Sequence, residues 1–152
     1  MNILITLCAR GGSKGVPRKN IKKLNGRPLI DYSIEHAKQF AHLPYNVDIT
    51  LSTDSKEIKD VTEKCGLSTN YIRPKYLADE TIGKIEVLDD FLKYEEETRQ
   101  KRYDILLDLD VSSPLRNLND LKQAFELFIN NKNALNIFSV SKPHKNPYFY
   151  VV

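Results

Sequence analysis

The sequence predicts an α/β fold of three layers, with helices packed about a mostly parallel sheet, and three observations carry that reading. An apolar run of strand length occurs at residues 3–8, the pattern of a strand covered on both faces, and 105–109 reads as a buried strand. Stretches with apolar residues at helical spacing alternate with them. A glycine-rich basic segment at 9–20 begins where the first run stops, as a loop between a strand and a helix does. At 152 residues the chain fits one domain, 1–152, with enough core to need no disulfide or metal staple.

The elements follow in order. Residues 3–8 form the opening strand. After the basic loop, Asn25 and Gly26 signal a turn, and Ile30, Ile34, Ala37 and Ala41 then mark the first helix. Residues 47–52 alternate as a second strand. Ile58, Val61 and Cys65 share a face of the next helix, which Gly66 ends. A short extended piece at 70–72 leads to Arg73 and Pro74, where the proline disfavours helix at Arg73, and 77–83 reads as loop. Ile85, Leu88 and Leu92 set the third helix, 105–109 a buried strand, and Leu118, Leu121, Phe125, Phe128 and Ile129 a fourth helix. Residues 134–140 return as strand.

Charge is unevenly placed. The first thirty residues carry seven Lys or Arg and no Asp or Glu; since the whole chain is +3, the other 122 sum to −4. That acidic remainder argues against nucleic-acid binding, which needs a wider basic stripe. Cys8 and Cys65 make no disulfide framework and read as buried reduced thiols. No stretch approaches the ~20 apolar residues of a membrane span, and 3–9 lacks the basic leader of a signal peptide, so a cytoplasmic protein without a membrane partner is expected. His36, His42 and His144 show no metal-ligand spacing, and His36 is expected at the surface.

In open α/β sheets ligands sit outside the carboxyl ends of the strands, so the residues just after each strand are the site candidates. Four segments qualify: 9–20; Ser52, Thr53 and Asp54; Arg73 and Pro74 with the loop to Gly83; and 108–116. In the first, glycines let successive N–H groups face one anion, and Arg10, Lys14 and Lys19 can add charge-assisted hydrogen bonds. The spacing is neither Gly-x-x-x-x-Gly-Lys-[Ser/Thr] nor Gly-x-Gly-x-x-Gly, which disfavours kinase-type and dinucleotide readings. A phosphate or nucleotide site and a solvated basic turn both remain open on the physics of the loop alone. Asp54 or Ser55 suits the N-cap of the following helix.

Taken together, Arg10-Gly-Gly-Ser-Lys-Gly-x-Pro-x-Lys-Asn20, then Ser52, Thr53 and Asp54, then Arg73 and Pro74 with Leu77, Ala78, Asp79 and Glu80, then Ser112, Ser113, Pro114, Leu115 and Arg116 resemble the cytidylyltransferases that activate sialic-acid-like sugars and 3-deoxy-octulosonate as CMP-sugars. The resemblance implies a Rossmann-like nucleotidyltransferase fold and attack of a sugar hydroxyl on the α-phosphate of CTP. It implies Arg10 and Lys19 as the phosphate-neutralising catalytic pair. It places nucleotide on Ala9, Gly11, Gly12, Ser13, Lys14, Gly15 and Asn20, with Arg73, Ala78, Asp79, Glu80 and Thr81 reading cytosine. Asp110, Ser112, Ser113 and Arg116 fall to the sugar. Mg²⁺ is the implied cofactor, CTP and a sugar acid the implied substrates, and a homodimer the implied assembly.

Two features depart from the family pattern. Asp110 stands where many sialic-acid enzymes have Gln; with Asn146, Pro147, Tyr148 and Phe149 it resembles the branch handling legionaminic-type sugars. The family's metal-binding Asp-x-Asp lies in a C-terminal third that this chain does not reach. The chain instead ends on an apolar, aromatic, strand-like segment, so either a partner or a further C-terminal part is expected to cover it. Two rivals to a working enzyme stay open: an inactive CTP-binding fragment, and a nucleotidyltransferase of another nucleotide or sugar. Asp108 and Asp110, two apart on a strand, face one side and form a weaker candidate for metal, with Asp108 read as structural.

Overall fold

A computed structural model describes residues 1–13, 15–79 and 81–140. Lys14, Glu80 and the terminal aromatic segment of the sequence reading lie outside the described residues. The chain divides into two compact units, Met1–Arg116 and Asn117–Val152.

The first unit is built on β1 (Asn2–Cys8), whose residues from Ile3 through Leu7 are all buried. A strand buried on both faces needs the continuous apolar run seen here rather than an alternating one. β2 (Lys23–Leu24) and β3 (Arg27–Pro28) form a small antiparallel hairpin over the Asn25-Gly26 turn. Both turn residues have positive φ, +49° and +82°, as a tight two-residue hairpin demands. α1 (Leu29–Ala41) buries Ile30, Ser33, Ile34, Ala37 and Phe40 and packs on β1 and β4 (Asn46–Ser52). β4 runs parallel to β1, from Asn2 opposite Asn46 to Cys8 opposite Ser52.

α2 (Lys56–Lys64) starts at Ser55, whose Oγ accepts from the Ile58 N–H at 3.4 Å, and Gly66 closes it as the sequence predicts. A 3₁₀ turn, Lys75–Ala78, overlaps the start of the expected 77–83 loop. α3 (Lys84–Arg99) leads to β5 (Ile105–Asp108), which pairs parallel with the other side of β1 and gives the order β4-β1-β5. The chain thus builds outward from β1 in both directions, and the C-terminal end of β1 is the point where the strand order reverses.

Three expectations are corrected. The buried face of α3 is Val87, Phe91 and Glu95, while Ile85 is exposed and Leu88 and Leu92 are half-buried. Tertiary partners decide this: Tyr71 lies 4.5 Å from the Phe91 ring, and Thr50 Oγ1 donates to Glu95 at 2.6 Å, so a carboxylate occupies a core position that an apolar count passes over. β5 is half-buried throughout rather than buried, because among the described strands only β1 pairs with it. Residues 134–140 form no strand; Leu135, Phe138 and Val140 stand exposed, and no described strand offers them a ladder.

In the second unit, α4 (Leu118–Asn130) opens with a reciprocal cap in which Asn117 accepts from the Asp120 N–H and Asp120 accepts from the Asn117 N–H. Leu121 and Phe125 are its buried residues.

At the far end of α3 a charged network ties this helix to β4. Asp48 accepts from Lys101 Nζ at 2.6 Å and Tyr103 Oη at 2.8 Å and pairs with Arg99; Arg99 Nε also donates to Glu95 at 2.7 Å. Burial alone pushes Asp48 upward, but its cationic and hydroxyl donors outweigh that and leave it below the usual carboxylate value.

Phe91→Ala is expected to cost about 3–5 kcal/mol and Ile85→Ala under about 0.5, the reverse of the order expected from the sequence periodicity; urea melts of both variants check the corrected face. Asp48→Asn is expected to cost about 1–3 kcal/mol at neutral pH. A carboxylate held low stabilises the fold above its unfolded value of ~3.9 and loses that contribution as pH falls through its folded value. The gap between wild type and Asp48→Asn therefore closes in acid, and a gap that persists unchanged in melts near pH 3 would contradict the network.

Candidate active site

The basic loop hangs from the end of β1 by its backbone. Ala9, buried, donates its N–H to the Ser52 carbonyl at 3.0 Å and extends the β1–β4 ladder. Gly11 donates its N–H to Asp54 Oδ1 at 2.8 Å, and a Cβ on Gly11 would come within 3.0 Å of the Ser55 side chain, so the loop passes directly over the start of α2. Asn20 is buried and its Nδ2 donates to the Arg10 carbonyl at 3.0 Å, closing the loop from its far side. Asp54 therefore does not cap α2, the role that falls to Ser55; it anchors the loop instead. Gly12 and Gly15 face open space, so packing within the protein does not require their missing side chains. That geometry suits close approach of an external group to the backbone.

Beneath the loop lies a cleft of ≈ 580 Å³. From the loop it is lined by Arg10, Ser13, Gly15, Val16, Lys19 and Asn20; from the floor by Cys8; from the segment after α2 by Arg73, Leu77, Asp79 and Ile82. Lys84 and Val87 of α3 and Asp110 and Ser112 after β5 complete it. Sequence reasoning missed Cys8, Val16, Leu77, Ile82, Lys84 and Val87. Cys8, Val16 and Leu77 were within its reach, since they sit at the strand end and in two of the quoted motifs.

Arg73 is buried, its backbone N–H donating to the Thr53 carbonyl and its Nε and one Nη to the Ser52 hydroxyl and carbonyl, each at 2.9 Å. The guanidinium is thus fixed at the end of β4 before any ligand arrives. Asp79 Oδ1 accepts from the N–H and hydroxyl of Thr81, which shapes the loop; Ala78 is half-buried. Asp110 Oδ1 accepts from the Ser112 N–H at 2.7 Å. Arg116 donates from Nε to the Ser113 carbonyl at 3.0 Å and from Nη2 to Ser33 Oγ of α1 at 3.1 Å and to the Asp110 carbonyl, clamping the 110–116 loop onto α1. Burial lowers this guanidinium from its ordinary value while Asp110 and Asp108 raise it. Ala9, Gly11, Gly12, Ala78, Thr81, Ser113 and Arg116 lie around the cleft rather than on its lining.

Asp108 and Asp110 part company. Asp108 accepts from Thr6 Oγ1 at 3.1 Å and forms an ion pair with Lys84, while Asp110 turns to its own loop. Among the described residues no three His, Cys, Asp or Glu side chains converge to hold a metal, so the residues present do not fit a protein-built magnesium cage. Burial, and then Asp108, push the Cys8 thiol up to about 11, leaving it protonated and unreactive at neutral pH. Cys8 and Cys65 are both free and half-buried, and His36 is half-buried on α1. No described helix is long and apolar enough to cross a membrane.

Comparison with known proteins agrees with this geometry. A cytidylyltransferase family model matches residues 4–146. The chain is 43% identical to a post-translational flagellin modification protein B of Campylobacter coli, over 99% of this chain and 62% of that protein. It is 43% identical to a CMP-N,N'-diacetyllegionaminic acid synthase of Campylobacter jejuni over 74% of this chain and 46% of the relative, and 31% identical to an N-acylneuraminate cytidylyltransferase of Streptococcus agalactiae over 97% and 34%. The chain therefore spans less than two thirds of the length of these relatives. Among solved structures, a CMP:2-keto-3-deoxy-manno-octonic acid synthetase complexed with CTP superposes with TM-score 0.68 at 17% identity, covering 86% of this chain and 48% of the other, which establishes the shared Rossmann-like fold. With a basic loop at the end of the central strand and a family match over nearly its whole length, the chain belongs to the cytidylyltransferase family.

Proposed function

We propose that this chain is the nucleotide-binding part of a cytidylyltransferase that joins CTP to a nonulosonic acid, releasing CMP-sugar and pyrophosphate. The observation that carries the reading is the convergence of Arg10, Lys19, Arg73 and Lys84 on one cleft at the carboxyl ends of parallel strands. Such a cleft suits a polyphosphate, and the relatives named for sialic-acid-like sugars support the acceptor class.

In the proposed reaction a sugar hydroxyl oxygen bonds to the α-phosphorus of CTP, the bond from that phosphorus to the bridging oxygen of pyrophosphate breaks, and the hydroxyl proton is released. Catalysis of this kind rests on positioning and on neutralising charge that grows on the phosphate oxygens. Arg10 and Lys19 are half-buried on the loop and reach the cleft, which suits them to that task. Arg73, immobilised on β4, presents a fixed donor for the base. Asp110 and Ser112 stand on the side assigned to the sugar. Mg²⁺ enters this reading as the counter-ion of the triphosphate, and a homodimer as the working assembly, which sedimentation tests.

Calorimetric titration with CTP, ATP and GTP in Mg²⁺, followed by a pyrophosphate-release assay over a panel of nonulosonic acids, tests the reading. CTP selectivity with release supports it; CTP selectivity without release reduces it to a binding fragment; no preference for CTP removes it. Arg10→Ala is expected to weaken CTP binding about tenfold to a hundredfold with an unchanged melting temperature, because the backbone carbonyl that Asn20 holds is retained. Lys19→Ala is expected to lower kcat more than CTP affinity; equal losses in both would speak against a role confined to the transition state.

A further inference from the structure

We propose that Lys84 is a ligand-contacting cation of the cleft that binds an anionic oxygen of the substrates, and that Asp108 is the residue that positions it. This rests on the nucleotidyl-transfer reading above and adds to it a binding side chain outside all four sequence motifs.

Placement is the first argument. Lys84 lines the cleft and its side chain is 47% exposed, whereas Asp108 stands behind it at 18% and is not on the lining. The carboxylate is accordingly shielded from ligand by the ammonium it holds.

The second argument is that helix stability does not account for this lysine. Lys84 is the first residue of the 16-residue α3, where the helix dipole disfavours a cation and favours an anion. Its compensating partner comes from a different element, the last residue of β5, and that partner is itself fixed by the Thr6 hydroxyl of β1. Three elements converge to hold one ammonium at a cleft wall. Such support from behind is how binding side chains are kept in a productive orientation.

Electrostatics is consistent with the geometry. Burial works against the Lys84 charge, but Asp108, with the Cys8 thiol and Asp110 as the other groups facing it, leaves the ammonium above its ordinary value. An arriving anion meets a cation already formed and already aimed. The shared chemistry is an oxyanion, either a phosphate of the nucleotide or the carboxylate of an acidic sugar.

The test compares wild type, Lys84→Met and Lys84→Arg by calorimetry with CTP, with cytidine, and with N-acetylneuraminic acid in the presence of CMP. About a tenfold loss of CTP affinity in Lys84→Met, with cytidine unchanged and Lys84→Arg largely restored, assigns the phosphate. A comparable loss confined to the sugar acid assigns the carboxylate. Unchanged affinity for both overturns the proposal. Asp108→Asn is expected to weaken the same ligand in the wild-type background and to add nothing in the Lys84→Met background; additive losses would reduce Asp108 to a structural residue. Lys84→Gln replaces Lys84→Met if the latter melts early. If wild type shows no CTP binding, the cytidylyl reading fails on its own and inorganic triphosphate becomes the probe: loss on Lys84→Met then sustains the anion site, while equal binding, or none by wild type, overturns it.

Discussion

Everything near the cleft depends on the two-sided pairing of β1. Cys8 ends opposite Ser52, so β1 and β4 finish level, while Asp108 lies opposite Thr6 and β5 finishes two residues short of them, all at the carboxyl end of the sheet. A slip of one residue would exchange the faces of a strand whose five central residues are all buried, and would move Ser52 away from Ala9. The apolar run therefore does more than fill the core: it sets the register from which the loop and the flanking segments hang.

Carboxylates near this edge serve the scaffold. Asp54 holds the Gly11 N–H, Asp110 turns its own loop through Ser112, and Asp108 holds Lys84. Cationic side chains, in contrast, reach the cleft from three separate segments: Arg10 and Lys19, Arg73, and Lys84. Among the described residues four cations line the cleft against two carboxylates, Asp79 and Asp110, each already accepting hydrogen bonds within its own loop, which yields a region suited to anions even though the chain is only modestly basic overall. Arg116 follows the other logic, its guanidinium taken up by a hydroxyl and carbonyls that clamp a loop, so a motif arginine acts here through positioning.

Much of the architecture was legible because local chemistry and tertiary demand agreed. The Asn25-Gly26 turn, the Gly66 helix end and the two parallel strands at 46–52 and 2–8 follow from residue preferences that nothing opposes. Legibility failed where a partner distant in sequence decided the outcome. α3 turned its face to bury Val87, Phe91 and Glu95, since Tyr71 and Thr50 were waiting there, and no helical periodicity of apolar residues can anticipate a buried Glu. Residues 134–140 have the composition of a strand but no described neighbour to pair with.

For the site, the sequence by itself determined the identity of the basic loop, the location of Arg73 in the segment after α2 and of 110–116 after β5, and through their order the family. Those are properties of residue type and spacing, which persist whatever the chain does in three dimensions. Tertiary structure alone decided the work each residue does: that Asn20 closes the loop, that Asp54 anchors it while Ser55 caps the helix, and that Lys84 joins the cleft. The physical reason is that a hydrogen bond or ion pair depends on distances of about 3 Å between groups, and pairs separated by 43 or 102 residues in the chain acquire such distances only when the sheet has brought their elements together.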